Sequence, residues 1–256
     1  MRSFIVSVLF VFSITFLSMV SPGSGQTAGD PMPATVKLSS VISYNNLYDS
    51  LQLDNFQLSR DAFIQAMQGY TQMADAGELQ KTDILSIVDF SLPSTEKRLF
   101  ILDITTGEML FNTYVAHGRN SGKEVATSFS NKTNSFKSSL GFYVTLGTYR
   151  GEHGYSLRLE GKEPGINDNA FNRGIVVHGA PYVNEKVISK NGYIGRSLGC
   201  PAIPMKLHKA IIQKIQNGSC LFLYGPDKTY ASNSRLLEQP LPDTVAASPD
   251  TAAITG

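Results

Sequence analysis

"SLGFYVTLGTYRGEHGYSLRLEG", Ser139 to Gly161, is the stretch on which the fold turns. It holds two runs rich in β-branched and aromatic residues, separated by a short glycine-containing polar cluster, and neither run has the three-to-four spacing of a helix. Similar runs lie on either side. Upstream are "DILSIVDF", "KRLFILDI" and "EMLFNTYVAHG"; downstream are "RGIVVHG" and the apolar "CLFLY" that Gly225-Pro226 closes. Short strands parted by turn residues predict a mainly β chain, β-rich α+β, built as a sandwich or a barrel-like assembly of sheets.

Helical signals frame this region. In "LSRDAFIQAMQGYTQMADAG", Phe63, Met67 and Tyr70 recur on one helical face, Ser59 can cap the start and Gly77 can end it. In "PMKLHKAIIQKIQNG", Leu207, Ile211 and Ile215 stand four apart, between Pro204 and Gly218, and predict one short helix. Both apolar stripes read as core contacts.

The 256 residues, 42% of them hydrophobic, suffice for one substantial core. With 22 Lys+Arg against 21 Asp+Glu, the formal charge of +1 provides no diffuse attraction to nucleic acid or anionic lipid. The chain opens with Arg2, an uncharged apolar run of 17 residues from Phe4 to Val20, and then "SPGSGQTA". This predicts a secretory signal over 1–28, cleaved at the small residues, with a retained membrane anchor as the alternative. A leader and helical segment over 29–81, a main strand-rich domain over 82–225 and a flexible tail over 226–256 complete the expected organisation. The implied destination is periplasmic or secreted, with no stable membrane insertion once the signal is removed.

Export also matters for Cys200 and Cys220, the only cysteines, because a disulfide between them and two free thiols are both open readings. Cys220 lies in a strand-like run, where a cysteine is usually a small core residue. Cys200 differs. In "RSLGCPAIP", Arg196 to Pro204, the backbone presents it between a glycine and a proline.

Of four histidines, His178 ends the apolar run of "GIVVHGAPYV" and precedes Cys200 by 22 residues, an order that suits a Cys-His nucleophile. An imidazolium neighbour lowers a thiol pKa from about 8.5 to roughly 3.5–7.5. The amides of Gly199 and Cys200 are candidates for an oxyanion hole, with Pro201 stiffening the far side. His117 and His153 each precede glycine and read either as turn residues or as walls of a substrate cleft; His208, among lysines, reads as solvated. No GxGxxG, Walker loop, HExxH or zinc-spaced cysteine pair occurs, and no two of His117, His153 and His178 have a short ligand spacing, so a metallohydrolase carries little weight.

"VVHGAPYV" followed by "GRSLGCPAIP", with "VAHGRNSG", "ATSFSN" and "GINDNAFNRGIVVHGA" upstream, resembles the murein L,D-transpeptidase catalytic domain family over roughly residues 84–225. The resemblance implies a β-rich catalytic domain of mixed sheets. It further implies Cys200 as nucleophile, His178 as base and the Gly179 carbonyl as the group that orients the imidazole. Gly199, Ser197, Arg196 and His117 are the candidate oxyanion and substrate-binding residues. The implied reaction is acyl transfer between peptidoglycan stem peptides through a thioester, without a cofactor. Hydrolysis of the same stems, and a non-catalytic wall-binding module with its cysteines in a disulfide, are the alternatives. Leu198 and Ala202 stand where the better-characterised branch has histidine and arginine. Arg196 is then the nearest replacement cation, unless it only bonds loop carbonyls.

Overall fold

A computed structural model describes residues 43–225 and 227–237. The expected signal, most of the leader and residues 238–256 lie outside the described residues. Within them, the chain forms helix α1 (43–50), a 3₁₀ turn (Leu53–Phe56), α2 (Arg60–Asp75), strands β1 (Ile84–Asp89), β2 (Leu99–Asp103), β3 (Met109–Thr113), β4 (Gly141–Gly151), β5 (Gly154–Gly161) and β6 (Val176–Ala180), then α3 (Glu185–Asn191), β7 (Ala202–Pro204), α4 (His208–Ile215), β8 (Cys220–Tyr224) and α5 (Lys228–Asn233).

The eight strands make one mixed sheet in the order β3-β2-β1-β8-β4-β5-β6-β7. Two antiparallel meanders, β1 to β3 and β4 to β6, are joined in the centre by β8, which runs parallel to β1 and antiparallel to β4. Its five residues are all buried, as a strand covered on both faces requires. Phe222 of β8 stacks on Phe142 of β4 at 4.2 Å. The barrel-like arrangement is the one formed: just beyond β3, the Ala116 amide donates to the Ala202 carbonyl of β7 at 2.8 Å, so the two edges of the sheet almost meet.

The first amphipathic segment folds as its pattern dictates. Ser59 accepts the Ala62 amide at 3.2 Å, Ala62, Phe63, Ala66, Met67, Tyr70 and Met73 are buried, and Gly77 leaves the helix at φ +70. That face packs on β1 and β8. Three helices, α1, α3 and α5, lie beyond what the spacing predicts. α3 is capped by Asn184 and α5 by Asp227. α5 also corrects the tail expected from 226: Tyr230 and Leu237 belong to the core, and the buried Glu163 carboxylate accepts the Tyr230 hydroxyl at 3.2 Å, the Phe142 amide at 2.7 Å and the Ser234 hydroxyl.

Candidate active site

Cys200 sits on the bend that enters β7, 8% exposed. The bend is held from both sides. Ser197 donates its amide to the His117 carbonyl at 2.9 Å and accepts the Arg119 amide at 2.8 Å, which lays it alongside the loop that follows β3. The Ser197 hydroxyl accepts the Gly199 amide at 3.1 Å and donates to the Cys200 carbonyl at 2.6 Å. Two expectations are corrected here. Gly199 N–H is consumed inside the bend, so it is no oxyanion donor, and Ser197 braces the loop instead of facing a substrate. The Cys200 amide has no backbone or side-chain acceptor among the described residues. Gly199 is required by the protein itself: its φ is +128, and a Cβ there would meet the Lys137 carbonyl at 2.8 Å and the Ile175 side chain at 3.0 Å.

His178 lies in β6, opposite Ala202 of the parallel neighbour β7, two residues past Cys200. Its Nδ1–H donates to the Gly179 carbonyl at 3.0 Å, which leaves the Nε2 lone pair as the basic position. His153, at the tip of the β4–β5 hairpin, stacks on the His178 ring at 4.2 Å with an interplanar angle of 19°. His208 is 7% exposed and donates Nδ1–H to the Met205 carbonyl at 2.7 Å, so the expectation of a solvated residue is overturned. It packs against Gly179, where a Cβ would lie 2.7 Å from its ring.

Electrostatics also depart from expectation. Burial pushes the Cys200 thiol above its ordinary value, against smaller opposing effects of the Val176 amide and Arg173. Burial pulls His178 below its ordinary value, opposed by the Gly179 carbonyl and reinforced by His153 and His208. Thiol and imidazole are therefore each neutral at rest, in place of the expected thiolate and imidazolium. The thiol lies 3.6 Å from the Gly174 carbonyl, to which it can donate.

His117 is corrected outright. It is fully buried, with Arg98 Nη2 donating to Nδ1 at 2.7 Å and the ring's Nε2–H donating to the Gly122 carbonyl at 3.2 Å. Burial and the adjacent Arg98 hold its pKa at about 4. It is a neutral strut, out of reach of a substrate. Arg196 is exposed, but its Nη1 bonds the carbonyls of Arg119 and Gly122, each at 3.0 Å, the loop-bracing reading of that residue.

The charge that favours the thiolate is that of Arg173, a residue with no role assigned from sequence. It bonds the carbonyls of Ser130 at 2.9 Å and Lys137 at 2.6 Å, and Nη2 lies 3.3 Å from the position a Gly199 Cβ would take. Tyr182 is a second addition; burial and the nearby Cys200 push its hydroxyl up to about 12. Neither could be found from spacing, because both reach the bend through loops that fold over it. Cys200 and Cys220 are free thiols, so the disulfide reading does not hold. A cavity of about 650 Å³ opens elsewhere, between β3 and the exits of β6 and β7, and its walls do not include Cys200 or His178. No group of three or more metal-ligating side chains occurs among the described residues.

A family model described as the L,D-transpeptidase catalytic domain matches residues 54–224. No curated protein matches the sequence. Among solved structures, the chain is similar to an L,D-transpeptidase from Mycobacterium smegmatis at 13% identity and a TM-score of 0.36, covering 56% of this chain and 59% of that one. It is similar to an L,D-transpeptidase from Stackebrandtia nassauensis at 15% identity and 0.35, covering 65% and 68%. A third similarity, to the helical cell shape determining protein Pgp2 of Campylobacter jejuni, is at 15% identity and 0.38, covering 64% and 57%. The chain thus spans less than two thirds of the Mycobacterium smegmatis protein.

Proposed function

The chain belongs to the L,D-transpeptidase catalytic domain family, and from that premise we propose that it is a cysteine acyltransferase of the cell envelope that acts on peptidoglycan stem peptides. The observation that carries the reading is the bond from His178 Nδ1–H to the Gly179 carbonyl at 3.0 Å, which fixes a basic Nε2 on the strand beside the Cys200 bend.

The steps follow from a neutral pair. As Cys200 Sγ attacks the stem carbonyl, its proton passes to His178 Nε2, and the charge that develops on the carbonyl oxygen is met by the Cys200 amide. The C–N bond then breaks, the departing D-amino acid takes the proton from His178, and a thioester remains on Cys200. An amine of a second stem attacks that thioester and gives up a proton to His178; the C–S bond breaks, and His178 returns the proton to the departing sulfur, which restores the thiol. Water in place of the amine would yield shortened stems. The signal-like N-terminus supports action outside the cytoplasm.

Intact-protein mass after incubation with a tetrapeptide stem tests the reaction class. The expected result is an acyl adduct on Cys200, absent in Cys200→Ala and present in Cys220→Ala, whose side chain lies in the β8 core. An adduct that survives Cys200→Ala would sink the assignment. Cross-linked dimers among the products indicate transfer, and shortened stems alone indicate hydrolysis.

A further inference from the structure

Ser138 is completely buried, lies in none of the strands, and is not used by the chemistry described so far. Its amide and hydroxyl are both engaged around the nucleophile bend. Its amide donates to the Ser121 hydroxyl at 2.9 Å, its hydroxyl accepts the Gly118 amide at 3.1 Å, and that hydroxyl donates to the Gly199 carbonyl at 3.2 Å. Ser138 thereby ties together the loop after β3, the loop before β4 and the peptide group that precedes Cys200.

The last of these bonds has a directional consequence. The Gly199–Cys200 peptide is planar and trans, so its C=O and N–H point in opposite directions. Drawing the Gly199 carbonyl towards Ser138 turns the Cys200 N–H away from that hydroxyl. The Gly199 amide is already spent on Ser197 at 3.1 Å, and Pro201 has no N–H, so of positions 199–201 Cys200 alone keeps a donor to offer. Gly199 has the φ of +128 that a flexible peptide could leave, and without a fixed carbonyl the peptide plane would be free to rotate.

We propose that Ser138 is a positioning residue for acyl transfer: by holding the Gly199 carbonyl it aims the Cys200 amide at the oxygen that becomes negative when the thiol attacks. This rests on Cys200 being an acylated nucleophile, but not on the identity of the acyl donor. The role is exerted through a peptide group, and Ser138 itself does not touch the substrate.

The test compares two reactions of the same thiol. Acylation by p-nitrophenyl acetate passes through an oxyanion; alkylation by iodoacetamide, a direct displacement at carbon, does not. In Ser138→Ala, acylation of Cys200 is expected to fall about 10- to 100-fold, below the roughly 100- to 1000-fold loss seen when an oxyanion donor is removed altogether, while alkylation stays within about twofold. Ser138→Thr, which keeps the hydroxyl, is expected to recover most of the acylation. Equal loss of both reactions, or loss of neither, overturns the proposal. Should the alanine variant not fold, Ser138→Cys, with nearly the same shape and a weak donor, decides by the same ratio. Because the ester is not a stem peptide, a protein that acylates with the ester but not with a tetrapeptide contradicts the peptidoglycan reading and leaves the Ser138 result standing on its own.

Discussion

At the scale of single residues, the site turns on protonation. A buried thiol is costly to ionise, and a buried imidazole stacked on one histidine and near another is costly to protonate. Both shifts favour the uncharged forms. Alkylation requires the thiolate, so a raised thiol pKa leaves less of it at pH 7 than a free cysteine, with its pKa of about 8.5, would have. The rate of Cys200 alkylation by iodoacetamide should therefore keep climbing from pH 7 to beyond 9. His178→Asn should leave that profile nearly unchanged yet lower turnover by about 100- to 10,000-fold, the range for loss of a general base. A plateau between pH 6 and 7 that vanishes in His178→Asn would show a resting ion pair and refute the neutral one. The candidate nucleophile was legible in sequence because a cysteine between glycine and proline is set on a turn instead of inside a helix or strand. The roles of His117 and His208 were not, because the residues that bury them come from distant parts of the chain: Arg98 for the first, Gly179 and Met205 for the second.

At the scale of elements, the start of α2 is held by its own sequence and by a bond to β1. The Ser59 hydroxyl caps the helix, and the Ser59 amide donates to the Asp89 carboxylate at the end of β1 at 3.0 Å. Ser59→Ala removes the cap and keeps the amide bond. It should cost about 1 kcal/mol, lowering the melting temperature by about 2–4 °C in a chain of this size, with acylation of Cys200 unaffected. Calorimetry beside the ester assay checks both; a fall in acylation at constant stability would mean that α2 supports the site directly. This cap and the Gly77 stop were visible as residues at fixed offsets. α3 and α5 were not, since seven and six residues are too few to establish a helical period, and α3 has no buried residue to mark a face.

At the scale of the whole molecule, the C-terminal strand and helix close the structure. β8 joins the two meanders, and α5 then brings Tyr230 and Ser234 to the buried carboxylate of Glu163. Truncation after Gly225 would expose the apolar surface that Tyr230 and Leu237 cover and strip two donors from Glu163. Burial of each side chain contributes about 1.5–3 kcal/mol, so the loss should reach about 4 kcal/mol and appear as a drop of roughly 8 °C or more in melting temperature. An unchanged melting curve would mean that the packed body ends at β8, as the composition of the tail had implied.

The sequence by itself determined every strand but the three-residue β7, the helices α2 and α4, and the candidacy of Cys200 with His178, because each depends on residue types at short, fixed separations: alternation, caps, a glycine beside a cysteine. Only the tertiary structure decided which cation stands beside the thiol, which amides remain to stabilise an oxyanion, and whether the pair is charged at rest. Those properties arise where the loops at 117–122, 130–139 and 173–174 converge on the bend at 197–200. Contacts across such separations leave no period in the chain, and burial, which sets the protonation states, exists only once the loops have closed around the site.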